Sequence, residues 1–158
     1  MSAKSILLSI LFQILVVYSF AQRISDPKMN QFITNLLTKM TLDEKIGQLN
    51  LSGAGDIVTG QAKSSGISKK IREGNIGAIL NLKSAGKIRE VQKIAVEESR
   101  LKIPILFGMD VIHGYQTIFP IPLGLSCSWD MKLIERSARV AAQEATADGI
   151  CWTFGPHG

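Results

Sequence analysis

Three short apolar runs separated by amphipathic helices constrain the fold of this chain more than any other feature. Ile76-Gly-Ala-Ile-Leu-Asn-Leu82, Ile103 to Met109, and Ile150-Cys-Trp-Thr-Phe154 each read as a strand buried on both faces. A helix that Ser84 caps separates the first two and runs to about Arg100, with Ile88, Val91 and Ala95 facing inward. A longer helix, capped by Ser128 and ended by Asp148-Gly149, precedes the third. Its packed side carries Ile134, Ala138, Ala141 and Ala145. Such alternation implies parallel β/α units joined by right-handed crossovers. The intervals suit a (β/α)8 barrel, which needs about 250 residues, and equally an open doubly wound sheet. Three strands complete neither.

Upstream, Met29, Phe32, Ile33, Leu36, Leu37 and Met40 form one apolar stripe, predicting a helix over 28–39. Thr41-Leu-Asp-Glu44 reads as a capping box opening a second helix, with Leu42, Ile46 and Leu49 on one face. Residues 52–66 are rich in Gly and Ser and read as a loop. Residues 67–73 read as a short helix ended by Gly74.

The first 21 residues read as a secretory signal peptide rather than as part of the fold. Lys4 supplies the positive start, Ile6 to Phe20 the apolar stretch, and Ser19-Phe20-Ala21 the small residues of a cleavage site. The apolar stretch is short of the roughly 20 residues of a membrane span. No membrane association is expected once it is cut after Ala21. The whole chain carries +5, of which Lys4 supplies one charge, leaving +4 on residues 22–158. Lys69, Lys70 and Arg72 cluster beside Glu73 with no interleaved aromatics, the mark of a solvated helix face and not of a nucleic-acid surface. Two cysteines make no disulfide framework. Secretion would permit one bridge between Cys127 and Cys151, but Cys151 lies inside an apolar strand and Cys127 precedes a helix, so both are read as buried free thiols ahead of a bridge. No zinc spacing, dinucleotide loop or Gly-x-Ser-x-Gly elbow is present, and no metal or cofactor is expected.

Pro104-Ile-Leu-Phe-Gly-Met-Asp-Val-Ile-His-Gly114 carries the chemistry. In α/β folds, ligands are held at the carboxyl ends of parallel strands. Asp110 stands at such an end. It is either a ligand contact, its carboxylate accepting hydrogen bonds from sugar hydroxyls, or a cap on a nearby turn. Position leaves both open. His113 is read as a buried, hydrogen-bonded imidazole shaping the loop, ahead of a metal-ligand or acid–base role. Gly114 permits a sharp turn and Gly108 a close approach. Asn81 ends the preceding strand on the same face as Asp110 and is a turn residue or a second contact. Trp129 and Trp152 are assigned to core packing ahead of sugar stacking. His157 lies at the terminus and carries no role.

Six segments in order resemble the start of a glycoside hydrolase family 3 enzyme of the secreted bacterial β-glucosidase type. They are Met40 to Gln48, Gly74 to Leu80, Pro104 to Gly114, Thr117 to Gly124, Ser128-Trp-Asp130 and Gly149 to Phe154. The resemblance implies the N-terminal part of a (β/α)8 TIM-like barrel, with three β/α strands, over residues 22–158. It also implies retaining, exo-acting hydrolysis of terminal β-D-glucosyl residues of β-glucosides or oligosaccharides. Asp110 matches the aspartate that grips hydroxyls in the first sugar subsite. The family's nucleophile and acid/base match no position here, so no catalytic residue is assigned. Gly155-Pro-His-Gly158 departs from the family's loop. The expectation is an N-terminal fragment, inactive alone and prone to aggregate through an uncovered sheet. Two other readings are a catalytically dead, short, secreted sugar-binding protein, and a module completing another chain's barrel.

Overall fold

The computed structural model describes residues 26–54 and 66–154. The expected signal peptide, most of the loop over 52–66 and the divergent 155–158 segment lie outside the described residues.

The described residues fall into two units, one ending at Lys39 and the other beginning at Met40. The first contains helix α1, Pro27–Lys39. Pro27 at the first turn needs no N–H partner. The Asp26 carboxylate accepts from Lys28 N at 2.9 Å, satisfying one of the free amides there. The helix matches the predicted stripe, yet Met29, Phe32, Ile33 and Leu37 stay exposed.

The second unit holds α2 (Leu42–Gln48), β1 (Leu51–Gly53), α3 (Gly66–Arg72), β2 (Ala78–Leu80), α4 (Ala85–Lys93), β3 (Leu106–Met109), α5 (Pro122–Ser126), α6 (Met131–Ala147) and β4 (Trp152–Thr153). The predicted capping box is present: Thr41 Oγ1 accepts from Glu44 N at 3.2 Å, and Glu44 Oε2 accepts from Thr41 N at 2.8 Å. The predicted apolar face of α2 is not its buried face. Leu42, Ile46 and Leu49 are exposed, while Glu44 and Gly47 face inward. Close backbone approach at Gly47 and an ion pair from Glu44 to Arg100 set the orientation, overriding the apolar periodicity.

The sheet has four parallel strands in the order β1-β2-β3-β4, not three. Leu51–Gly53, expected in or beside a loop, pairs with Ala78–Leu80. Each strand is added beside its predecessor with no reversal of order. A doubly wound sheet changes direction at a switch point. Right-handed crossovers that never reverse put all helices on one face, as in a barrel.

Alternation along the strands confirms this. Ile79, Phe107 and Met109 point into a core with Ile88, Val91, Ile94, Ala95, Ala141 and Ala145. Ile79 is wholly buried, and each such side chain contributes about 1.5–3 kcal/mol. Leu51, Leu106 and Trp152 lie on the opposite face and stay exposed. The chain thus forms four strands of a (β/α)8-type barrel, helices outside, with the inner face open. An open groove of about 460 Å³ runs along the N-terminal half of that face, lined by Leu49, Leu51, Ala78, Leu106 and Trp152.

Two predicted caps move. Ser84 takes φ +89° and makes no side-chain cap; Asp148 accepts from Ser84 N and Ala85 N instead, both at 3.1 Å. Asp130, not Ser128, caps α6, accepting from Leu133 N at 3.0 Å. The helix after β2 ends in one π-helical turn, Ile94–Glu98. Just before it, the Gln92 amide bonds both Ile105 N and Ile105 O, leading the chain into β3.

Glu44 and Arg100 join the two ends of this layer, with Arg100 Nε to Glu44 Oε1 at 2.9 Å. The Arg100 guanidinium, with the Thr41 amide, lowers the Glu44 carboxyl from 4.5 to about 2. A depressed folded-state value stabilises above the unfolded one. That stabilisation is present above pH 4.5 and is lost as pH falls toward 2. The protection factors of the Thr41 and Glu44 amides, taken against their intrinsic exchange rates, should therefore fall as pH drops across this window. In Glu44→Gln both amides should already be less protected at neutral pH and insensitive to it. Equal acid sensitivity in the variant would remove Glu44 as the cause.

Candidate functional site

Strand β3 delivers Asp110 to the C-terminal edge of the sheet. Leu106 and Gly108 belong to the open face, and Asp110 continues that alternation. It is exposed, and its carboxylate has no hydrogen-bond partner among the described residues. The cap alternative therefore finds no acceptor role for it here. Asn81 leaves β2 at the same edge with φ +64°, a conformation Asn tolerates, and its N–H donates to Gly108 O at 2.9 Å. The register places Asn81 level with Met109, one position before Asp110.

The segment after Asp110 folds back on itself. Gly114 pairs with Ile118, and Phe119 N donates to His113 O at 2.7 Å. Gly114 has φ +113°, and a Cβ there would lie 2.0 Å from Thr117 O, so the turn excludes any side chain. The His113 imidazole is exposed, not buried. Its expected work of shaping the loop is done by carboxylates from α6. Glu144 Oε2 accepts from Gln116 N at 2.9 Å and Thr117 N at 2.8 Å, and Glu144 Oε1 from Thr117 Oγ1 at 2.6 Å. Asp148 accepts from the Tyr115 hydroxyl as well as from the amides of Ser84 and Ala85.

These contacts shift proton affinities in the expected directions. The Thr117 hydroxyl and amide hold the Glu144 carboxyl below its ordinary value. The Tyr115 hydroxyl does the same for Asp148. Burial, and then the Asp148 carboxylate, push the Tyr115 phenol up to about 12. Lys83 Nζ lies 5.5 Å from the centre of the Tyr115 ring.

The aromatic and thiol expectations need correction. Trp129 is 91% exposed and Trp152 38% exposed, so neither is a core residue. Trp152 belongs to the open face, where its ring lies 4.5 Å from that of Phe154. Both rings pack over Gly108, so the close approach permitted there is by aromatic side chains. Cys127 and Cys151 are free, but both are exposed. Cys127 ends the exposed α5 segment, and Cys151 precedes the edge strand β4. Among the described residues no three His, Cys, Asp or Glu side chains converge as a metal site.

Sequence reasoning did not single out Glu144 or Tyr115, and it names Asp148 only as a helix end. The signal was present: two acids four residues apart at the C-terminal end of a helix, where the helix dipole disfavours them. Such acids need donors from elsewhere.

The site therefore comprises an exposed carboxylate at a barrel strand's carboxyl end, on a loop anchored from behind. The apolar groove lies at the opposite end of the strands, which in barrels serves stability.

Comparison with known proteins gives this arrangement a setting. The glycosyl hydrolase family 3 N-terminal domain matches residues 41–157. A periplasmic beta-glucosidase of Salmonella typhimurium is 44% identical over 125 residues, covering 79% of this chain and 16% of that protein. A lysosomal beta glucosidase of Dictyostelium discoideum is 29% identical over 149 residues, covering 79% of this chain and 18% of that protein. The chain thus spans less than a fifth of these relatives. The crystal structure of a beta-glucosidase from Listeria innocua with isofagomine superposes with a TM-score of 0.67 at 40% identity, over 80% of this chain and 18% of that one. The same enzyme with glucose gives 0.68 at 36% identity, over 80% of this chain and 19% of that one.

Proposed function

This chain belongs to glycosyl hydrolase family 3, and from that premise we propose that residues 22–158 are the N-terminal part of the barrel domain of a β-glucosidase. The observation that carries the reading is Asp110, exposed on the open face at the carboxyl end of β3. Substrates are β-glucosides or oligosaccharides, cut at terminal β-D-glucosyl residues by an exo-acting enzyme. Relatives named β-glucosidases, and a structural neighbour solved with glucose, support that choice.

Asp110 accepts hydrogen bonds from hydroxyls of the sugar in the first subsite. An ionised carboxylate binds such donors more strongly than a neutral group does. Contacts that tighten as the ring distorts toward an oxocarbenium-like transition state lower the barrier itself. Retention of configuration needs two further carboxyls about 5–5.5 Å apart, one as nucleophile and one as acid/base. Neither is assigned to this chain. The complete protein acts in the periplasm or outside the cell, after cleavage behind Ala21. The apolar leader and the periplasmic relative support that location.

The test is hydrolysis of an aryl β-glucoside by the complete protein, with the first-formed sugar identified by NMR. The β-anomer of glucose should appear first. The isolated Gln22–Gly158 chain should aggregate and release nothing above a heat-killed control. Absence of hydrolysis by the complete protein would overturn the assignment, and initial release of the α-anomer would overturn retention.

A further inference from the structure

We infer that Glu144 and Asp148 are positioning residues that hold the loops after β2 and β3 so that Asp110 meets the sugar. The inference rests on the reading of Asp110 as a subsite residue. It identifies what fixes that residue.

The loop over 110–121 has little regular structure of its own. One isolated bridge and one backbone bond close it on itself. Glu144 takes three donors from Gln116 and Thr117 with both its oxygens. Asp148 takes the Tyr115 hydroxyl from this loop and two amides from the loop after β2. The two loops that carry Asp110 and Asn81 are thereby tied to one turn of α6.

The placement is costly for the helix. Glu144 lies in the last turn of α6 and Asp148 at its C-cap, where the helix dipole is negative, and that turn has no basic residue. Ser84, held by Asp148, sits at φ +89°, a strained backbone state for a non-glycine residue. Local helix stability rewards neither feature. Fixing two strand-end loops at once does, because a sugar contact misplaced by about 1 Å can cost up to 100-fold in rate.

The experiment is a double-mutant cycle in the complete enzyme, reading kcat/KM for an aryl β-glucoside and inhibition by glucose. Glu144→Ala, the isosteric Glu144→Gln and Asp148→Asn are each made alone and in an Asp110→Ala background. In the native background Glu144→Ala should lower kcat/KM roughly 10- to 100-fold and weaken glucose inhibition in parallel. Glu144→Gln, which keeps one acceptor oxygen, should lose less. In the Asp110→Ala background these losses should shrink to near nothing, because the residue being positioned is gone. Losses of equal size in both backgrounds overturn the inference and leave the reading of Asp110 intact. If Asp110→Ala alone leaves kcat/KM unchanged, that reading falls and this inference with it. Should Glu144→Ala fail to fold, the Glu144→Gln and Asp148→Asn cycles decide by the same criterion.

Discussion

Replacing Asp110 by Ala should lower kcat/KM of the complete enzyme for an aryl β-glucoside by about 10²- to 10³-fold, with little change in thermal stability. A hydrogen bond to a charged group is worth about 1.5–3 kcal/mol. On the proposed subsite role, two sugar hydroxyls on one carboxylate are worth about 3–6 kcal/mol of transition-state binding, and the lower half of that range, about 3–4 kcal/mol, is that rate factor. Stability should hardly move, because Asp110 is exposed and its carboxylate bonds nothing among the described residues. Asp110→Asn keeps one acceptor oxygen and should fall between the two. Steady-state kinetics beside a melting curve check the pair. A variant that melts early but hydrolyses normally once folded would make Asp110 a structural cap, the alternative that its position in the sequence leaves open.

What was legible in the sequence follows from how local each determinant is. The capping box at Thr41 and Glu44 is a contact across three residues, and it forms as read. Asp110 is legible as a candidate because an apolar run ends abruptly in a charge. The first strand was missed because Leu51-Ser-Gly53 is too short and too polar to declare itself; its partner Ala78–Leu80 makes it a strand. Ser84 failed as a cap for a related reason. The competing acceptor, Asp148, lies 64 residues away, beyond any local pattern. The apolar stripe of α2 misled because buried Glu44 is satisfied by Arg100, 56 residues on. Periodicity predicts which face buries only when apolar area is the dominant reward. A paired carboxylate and a glycine contact reverse the choice here. The half of the site that was legible is the group that meets solvent, and the hidden half is the scaffold behind it.

That glycine contact sets the largest stability effect. Gly47→Ala and Gly77→Ala should each destabilise the seam between α2 and β2, by about 2 and about 3 kcal/mol respectively. A Cβ on Gly47 would lie 2.1 Å from Gly74 O, and one on Gly77 would lie 2.2 Å from Gln48 O. Both obstacles are backbone, so no side chain can turn aside. Forcing extra atoms into such contacts typically costs about 1–3 kcal/mol, occasionally more. At Gly47 the better helix propensity of Ala returns close to 1 kcal/mol, so its net loss is the smaller. Gly66, also in a helix, has open space at the same point and supplies the control. Gly66→Ala should be neutral or slightly stabilising. Native-state hydrogen exchange at the Asn75 and Ala78 amides reads the seam directly, since Asn75 N bonds Lys70 O at 2.8 Å and Ala78 N bonds Asn50 O at 3.2 Å. If Gly47→Ala slowed that exchange, helix propensity would have outweighed the contact. The orientation of α2 would then rest on Glu44 and Arg100 alone.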